Sequence, residues 1–314
     1  MATYSKATFN ATRYAAARPT YPRQLFDFVF KYHERTRAAR WETAVDLGCG
    51  TGQATVELTP FSRVIGVDPS AKMLEGARES AADTAAGIDS KTKFEFVQSA
   101  AEELPFLEDG SVDLLVAAQS SHWFDWTKMW PEAARVLRKG GSAAFWGYSE
   151  FRLTHHLSAT PLIHAYAQGS DPATSIGPHW QQPGRQIVDN HFLDVPRAVD
   201  VLPEAFGDWE HVFFAGEHFP DLPKAQTYPV LLHKRVTWED LLAYLRSFSA
   251  LHTFHERYPE DLKNADGDIA ARFCRTLQEH VRKERIERGE TKEQADRDEV
   301  DIEWPVAVML VKRI

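Results

Sequence analysis

Cysteine is scarce in these 314 residues: there are 2, Cys49 and Cys274. Two thiols cannot build a disulfide framework, so reduced thiols in a cytoplasmic setting are expected. Surplus positive charge is missing as well. Against 36 Lys and Arg stand 45 Asp and Glu, a formal net charge of −9, which argues against a protein that grips nucleic acid through its phosphates. Basic stretches occur at Arg35, Arg37 and Arg40 and from Arg282 to Arg288. The second is interleaved with Glu284 and Glu287 and reads as the solvated face of a helix. No apolar run is long enough to span a bilayer, and Met1 to Tyr14 has no apolar core of signal-peptide type. The expectation is a protein that engages neither nucleic acid nor membrane, in which the Asn10-Ala11-Thr12 sequon is never glycosylated.

What the chain does have is glycine in one telling place. Val45-Asp46-Leu47-Gly48-Cys49-Gly50-Thr51-Gly52-Gln53 is followed, after one short predicted helix, by Val64-Ile65-Gly66-Val67-Asp68. An apolar strand runs into a glycine turn, and a second apolar strand ends in an acid, as in the first βαβ unit of a nucleotide-type pocket. A dinucleotide site spaces its glycines G-x-G-x-x-G and rests a pyrophosphate on the helix N-terminus. Here Gly48, Gly50 and Gly52 are one residue tighter. That spacing points to S-adenosylmethionine (SAM), which carries no phosphate and needs only a close pass of the backbone. Asp46 can meet its α-ammonium, directly or through water, and Asp68 can accept from both ribose hydroxyls.

The spacing of apolar residues predicts a helix from Pro22 to His33, strand 43–48, helix 52–59, strand 62–68 and a helix 70–83 capped by Ser70, with Met73, Leu74 and Ala77 inward. Strands at 93–99 and 112–119, a helix from Asp125 to Leu137 that stops at Gly140-Gly141, and a strand 142–148 follow. Such alternation means an α/β fold with a parallel, doubly wound sheet and ligands at the carboxyl ends of its strands. In the third strand's loop, the Ala101 amide and the Glu102 carboxylate stand where adenine is usually read; a short surface helix starting at Glu102 is the alternative. After Ser149 the rhythm breaks. Residues 150–208 are rich in His, Pro, Trp and Gly; then come a strand at 210–219, helices at 237–250 and 268–288, a polar loop at 289–299 and a strand 302–311 interrupted by Pro305. Four parts are expected: 1–40 as N-terminal capping helices, 41–149 as the SAM-binding core, 150–208 as an inserted substrate lid, and 209–314 completing the fold.

Several of these stretches carry a resemblance. DLGCGTG, VIGVDPS, AAEELPF and the run Ala117 to Phe124 resemble the class I SAM-dependent methyltransferases. More narrowly, YAAARPTYP (Tyr14 to Pro22), Gly177 to Arg185, Trp238 to Ala250 and Glu303-Trp304-Pro305 resemble the fungal small-molecule group that contains trans-aconitate 3-methyltransferase, the cantharidin-resistance methyltransferase and the gliotoxin thiol methyltransferase. The resemblance covers nearly the whole chain. It implies a Rossmann-like, seven-stranded sheet, with Tyr14 and Arg18 closing over the methionine end and Arg18 pairing with its carboxylate. It also implies Gln119 near the methionine or the methyl group, and Met73 among the cofactor contacts. Many class I enzymes carry Asp where this chain has Ala100, so recognition of adenine by a side chain there is weaker or moves to Glu102.

Methyl transfer from a sulfonium is an in-line displacement, for which positioning and exclusion of water matter most. A carboxylate or thiolate acceptor arrives deprotonated and requires no base; a phenol or alcohol requires one. His122 is the candidate, with packing beside Trp123 as the alternative, and no catalytic residue is assigned. The acceptor side is expected to draw on His122, Trp123, Trp180 and Arg185, with Phe124 and Trp126 beneath. Arg185 would suit an acidic acceptor, or would form a structural salt bridge. His155-His156, and His252 with His255, lack further ligands, so no metal is expected. The leading expectation is O-methylation of a small carboxylic acid of trans-aconitate type by a monomer or homodimer. S-methylation of a small thiol or dithiol is the first alternative. A nicotinamide (NAD) oxidoreductase on the same sheet and a non-catalytic SAM-binding protein are readings from other classes.

Overall fold

The structure, a computed structural model, describes residues 18–87 and 91–314, with backbone alone at 85–87. Tyr14 and the 10–12 sequon lie outside the described residues. The chain forms two compact units. One holds Thr20–Ser149, Gln186–Leu231 and Pro305–Ile314; the other holds Glu150–Arg185, Leu232–Trp304 and, from the N-terminal side, Arg18 and Pro19. The boundaries expected at 208 and 209 thus do not coincide with a break between compact units.

In the first unit, helix α1 (Arg23–His33) starts behind an extended Pro22 and buries Leu25, Phe26, Val29 and Phe30 along one stripe. Strand β1 (Thr43–Leu47) then enters the glycine turn. The helix expected at 52–59 is instead a single 3-10 turn, Thr55–Glu57. Gly52 sits at φ 89°, on the wrong side of zero for a helical residue, and Pro60 disfavours helical geometry at Thr59. Strand β2 (Arg63–Asp68), helix α2 (Ala71–Gly87), strand β3 (Lys93–Gln98), strand β4 (Val112–Ala118) and helix α3 (Trp126–Val136) follow the predicted order. Asp125 caps α3, its carboxylate accepting from Thr127 N at 3.1 Å. Strand β5 (Leu137–Tyr148) begins as α3 ends and runs through Gly140-Gly141 rather than after them. The pairing with β4 jumps from Val112 opposite Leu137 to Leu114 opposite Ser142, so both glycines sit in a bulge.

Beyond Ser149 come β6 (Arg152–Leu153), α4 (Thr160–Gln168), α5 (Gly184–Asp189), α6 (Ala198–Val201), β7 (Phe206–Phe214), β8 (Thr227–Tyr228), β9 (Leu232–Thr237), α7 (Trp238–Arg246), α8 (Ser249–Arg257), α9 (Ile269–Glu287), α10 (Lys292–Ala295), β10 (Glu299–Trp304) and β11 (Val306–Arg313). The strand expected at 210–219 lies earlier, and Gly216 at φ 61° is past its end. The helix expected at 237–250 is two, because Phe248 is extended and breaks it. The polar loop at 289–299 contains α10, started by a Thr291–Gln294 capping box.

The large sheet has the order β3-β2-β1-β4-β5-β11-β7-β8. Its first five strands are parallel, and β11 runs antiparallel between β5 and β7. Among the described residues it therefore has eight strands rather than seven, the extra one being the two-residue β8 at the edge. One core packs Val45, Leu47, Ile65, Val67, Leu115, Ala117 and Phe145 from the strands against Met129 and Trp130 of α3. Trp126 belongs to this core: its ring lies 4.9 Å from Trp130 and 5.9 Å from Phe145.

The second unit has its own antiparallel sheet, β6-β10-β9, which nothing in the sequence anticipated. Pro305 is the reason the expected 302–311 strand is not one strand. Without an N–H it ends β10, and the chain resumes as β11 in the large sheet. Helix α9, capped by Asp268 (accepting from Ala271 N at 2.8 Å), buries Ile269, Phe273, Leu277 and Val281; Tyr166 of α4 stacks flat on Phe273 at 4.1 Å.

Candidate cofactor site

Parallel pairing brings the carboxyl ends of the strands to one edge. Leu47 stands beside Val67, Asp68 beside Gln98, and Ala118 beside Trp146. The loops that leave this edge are the glycine turn, Pro69-Ser70, residues 99–106 and Gln119 to Trp123.

The turn is built by two glycines with different reasons to be glycine. Gly48 lies at φ 66°, and a Cβ there would stand 2.5 Å from Ser120 Cβ. Ser120 in turn donates from Oγ to Leu47 O at 2.6 Å, pinning the end of β1. Gly50 lies at φ 55°, yet a Cβ on it would meet none of the described residues within 4 Å. The first glycine makes room for the protein; the second leaves open space beside the backbone.

Two carboxylates belong to this part of the fold, one at the end of β2 and one in β1. Asp68 accepts from Gly50 N at 2.9 Å through Oδ2 and from Ser70 N at 2.8 Å through Oδ1. Each oxygen keeps lone-pair capacity for a further donor. Burial pushes its pKa up, against those two N–H groups, which favour the charged form. Asp46 is fully buried, and its Oδ2 accepts from Thr55 Oγ1 at 2.6 Å. Its Oδ1 has no hydrogen-bond partner among the described residues. Burial raises its pKa to about 7; the Thr55 hydroxyl opposes this, and the Asp68 charge adds to it. Cys49, buried in the same turn, is a thiol whose pKa burial drives upward, and it is inert as a nucleophile.

Met73 is buried in the first turn of α2. Ala101 is buried in the third-strand loop, and Glu102 is half-buried with Oε1 accepting from Asp125 N at 2.8 Å, so it steadies the start of α3. Gln119 sits at φ 57°, and its side chain clamps β5: Tyr148 N donates to Oε1 at 2.6 Å and Nε2 donates to Tyr148 O at 3.0 Å. That clamp and the Ser120 and Thr55 hydroxyls escape a sequence reading, although Ser120 directly follows the predicted Gln119. His122 and exposed Trp123 share the 3-10 turn Ser121–Trp123, their ring centroids 4.7 Å apart.

Arg18, Trp180 and Arg185 belong to the second unit, where they meet around Phe248. Arg18 donates from Nη2 to Ser247 O at 3.2 Å and lies 5.5 Å over Tyr244 and 5.4 Å over Phe248. Trp180 donates from Nε1 to Ala167 O at 2.8 Å and stands 5.3 Å from Phe248. Arg185 covers Trp180 at 4.3 Å and pairs through Nη2 with Glu150 Oε2 at 2.8 Å. The salt-bridge alternative for Arg185 is therefore realised. Among the described residues no group of three or more His, Cys, Asp or Glu side chains is placed to hold a metal, and no helix is long and apolar enough to cross a membrane. His155, His156, His252 and His255 each lie against a carboxylate: Asp301, Glu284, Glu256 and Asp261.

Comparison with known proteins agrees with this geometry. The methyltransferase domain model matches residues 45–145, the segment from β1 to β5. A solved protein of Anaeromyxobacter dehalogenans, proposed to be a type II methyltransferase, superposes with a TM-score of 0.59 at 23% identity, over 94% of this chain and 97% of that one. Trans-aconitate 2-methyltransferase of Azoarcus sp. is 33% identical over 215 residues, which span 57% of this chain and 80% of that protein. The chain belongs to the class I SAM-dependent methyltransferases, and its cofactor is SAM. Among longer matches is CRG1 of Saccharomyces cerevisiae, named a probable S-adenosylmethionine-dependent methyltransferase. It is 28% identical over 282 residues, 88% of this chain and 89% of that protein. The residues present fit SAM on two counts: among the described residues Asp46 offers a buried acceptor that lacks a donor, and Gly50 leaves open space beside its backbone.

Proposed function

We propose that this enzyme methylates a carboxylate oxygen of a small organic acid of trans-aconitate type, and that it stands with the fungal small-molecule methyltransferases. The observation that carries the reading is the 33% identity to a trans-aconitate 2-methyltransferase along 80% of that protein. SAM supplies a methyl group on a positively charged sulfur, an excellent leaving group. Asp46 takes the α-ammonium on Oδ1 and Asp68 the ribose hydroxyls, while the backbone of Gly48 and Gly50 allows close approach. Met73, Ala101 and Glu102 flank the adenosine, and Gln119 supports the methionine side by holding the end of β5. Tyr14 and Arg18 contribute the closing segment that the sequence motif suggests.

An organic acid is ionised at neutral pH, with a pKa of about 4, so no residue has to remove a proton. The work left to the protein is orientation and exclusion of water, a role suited to His122, Trp123 and Trp180. In this reading Arg185, its charge met by Glu150, holds Trp180 in place, and residues 150–208 select the acceptor. The buried free thiols Cys49 and Cys274 support a cytoplasmic setting.

The test is S-adenosylhomocysteine release with trans-aconitate or a reduced small dithiol as acceptor, with the product identified by mass. Turnover of the acid supports the reading; turnover of the dithiol alone replaces it with S-methylation. His122→Ala keeps more than about a tenth of the activity if the acceptor is a carboxylate, since general-base catalysis is worth about 100-fold or more. Complete loss with the cofactor still bound restores a base.

A further inference from the structure

We propose that Asp46 carries a proton in the cofactor-free enzyme and expels it to solvent when the α-ammonium of the cofactor arrives, so that pH sets cofactor affinity. This rests on the SAM reading of the turn and adds to it a coupling that a carboxylate at this place need not have.

The geometry isolates one oxygen. Asp46 is 0% exposed, Thr55 serves its Oδ2 at 2.6 Å, and its Oδ1 faces no donor among the described residues. The strands on either side bring Gly66 of β2 and Val116 of β4 level with it, and neither carries charge. Among the described residues, the titratable groups around it are Asp68, at the end of β2, and Cys49, in the turn itself. Both are acids. A buried carboxylate with one hydroxyl donor, a second carboxylate nearby and no facing cation among the described residues is far from the solvation it has in water. The two acids are not equivalent: Asp68 receives two backbone N–H groups, Asp46 a single hydroxyl. The negative charge of the pair is therefore held on Asp68 and the proton on Asp46. The raised pKa of Asp46, about 7, agrees with this assignment.

An ammonium group reverses the balance, because a cation within hydrogen-bond reach favours the ionised carboxyl. One O–H bond of Asp46 breaks, its proton passes to solvent, and the carboxylate left behind accepts from the ammonium. No electrons change hands and no covalent bond to the cofactor forms.

The experiment is calorimetric titration of S-adenosylhomocysteine into the full-length enzyme in buffers of different ionisation enthalpy, which reads protons released per ligand bound. Release of about half a proton is expected near pH 7, approaching one near pH 6, with affinity falling about fivefold as pH drops from 7 to 6. Asp46→Asn is expected to bind more weakly and release none. 5′-Deoxy-5′-methylthioadenosine, with the same adenosine and no ammonium, is expected to release none from the wild type. Normal S-adenosylhomocysteine binding with no proton release overturns the proposal. Release that persists in Asp46→Asn, or that matches between the two ligands, overturns it too. If Asp46→Asn does not fold, the two-ligand comparison on the wild type decides alone. Failure of the wild type to bind S-adenosylhomocysteine at all is a different result, and it overturns the cofactor assignment of the turn.

Discussion

Substituting alanine at Gly48 and at Gly50 separates what the glycine turn does for the fold from what it does for the ligand. Both residues have positive φ, 66° and 55°, so either alanine adopts a left-handed conformation at a cost of about 1–2 kcal/mol. At Gly48 the new Cβ also lands 2.5 Å from Ser120 Cβ and 2.9 Å from Ser120 Oγ. Ser120 cannot yield freely, because its hydroxyl holds Leu47 O at 2.6 Å. Overpacking of that kind costs a further 1–3 kcal/mol or so, giving a loss of about 2–5 kcal/mol for Gly48→Ala. At Gly50 none of the described residues lies within 4 Å, so the loss stays at about 1–2 kcal/mol. The open space there is the space assigned to the cofactor, however, so the methyl group of Gly50→Ala competes with the ligand. Its S-adenosylhomocysteine affinity is expected to fall at least about tenfold, or 1.4 kcal/mol. Urea denaturation of the ligand-free enzymes and calorimetric titration measure the two effects. Equal destabilisation by both alanines, or unchanged affinity in Gly50→Ala, refutes the reasoning.

Further outcomes follow from single contacts. Asp68→Asn keeps an acceptor for Ser70 N but sets an amide NH2 against Gly50 N–H; S-adenosylhomocysteine affinity is expected to drop by about 1.5–3 kcal/mol, and an unchanged dissociation constant contradicts the ribose role. Arg185→Ala leaves Glu150 buried without the guanidinium and is expected to cost about 3–5 kcal/mol of stability in chemical denaturation, largely recovered when Glu150 also becomes an apolar residue of similar volume. Acid sensitivity is expected at His33. Its Nδ1 meets Ser142 Oγ at 2.9 Å, Nε2 meets Arg40 O at 2.8 Å, and burial lowers its pKa from 6.5 to about 4. From pH 6.5 down towards 4 the unfolded chain takes up a proton that the folded ring refuses, so this group contributes stability above that window that is lost as pH falls through it. His33→Gln is expected to flatten the slope of unfolding free energy between those limits; an identical slope in the variant counts against it.

The parallel core was legible because its signals are local. The glycine turn, the acid closing β2, the stripe of α1 and the caps Asp125 and Asp268 each need only a few neighbouring residues to be read. What escaped depends on partners far along the chain. Pro305 marked the break between β10 and β11, but the sheet that β10 joins is set by pairing with Arg152–Leu153 and Leu232–Thr237, which periodicity does not encode. Gly140-Gly141 carry the ordinary mark of a helix stop, yet the register with β4 absorbs them in a bulge. The same contrast runs through the site. Asp46 and Asp68 were readable from strand position. The Gln119 clamp on Tyr148 and the pairing of Arg185 with Glu150 arise only once distant segments meet.

The central claim is that the turn from Asp46 to Asp68 holds SAM, with the acid at each end doing a different task. A crystal structure of the enzyme with S-adenosylhomocysteine tests it most directly. The account predicts the ribose hydroxyls within hydrogen-bond distance of Asp68, the α-ammonium at or one water from Asp46 Oδ1, and ligand atoms in the space beside Gly50. A ligand bound with its ribose away from Asp68, and with Asp46 Oδ1 still without a donor, contradicts it.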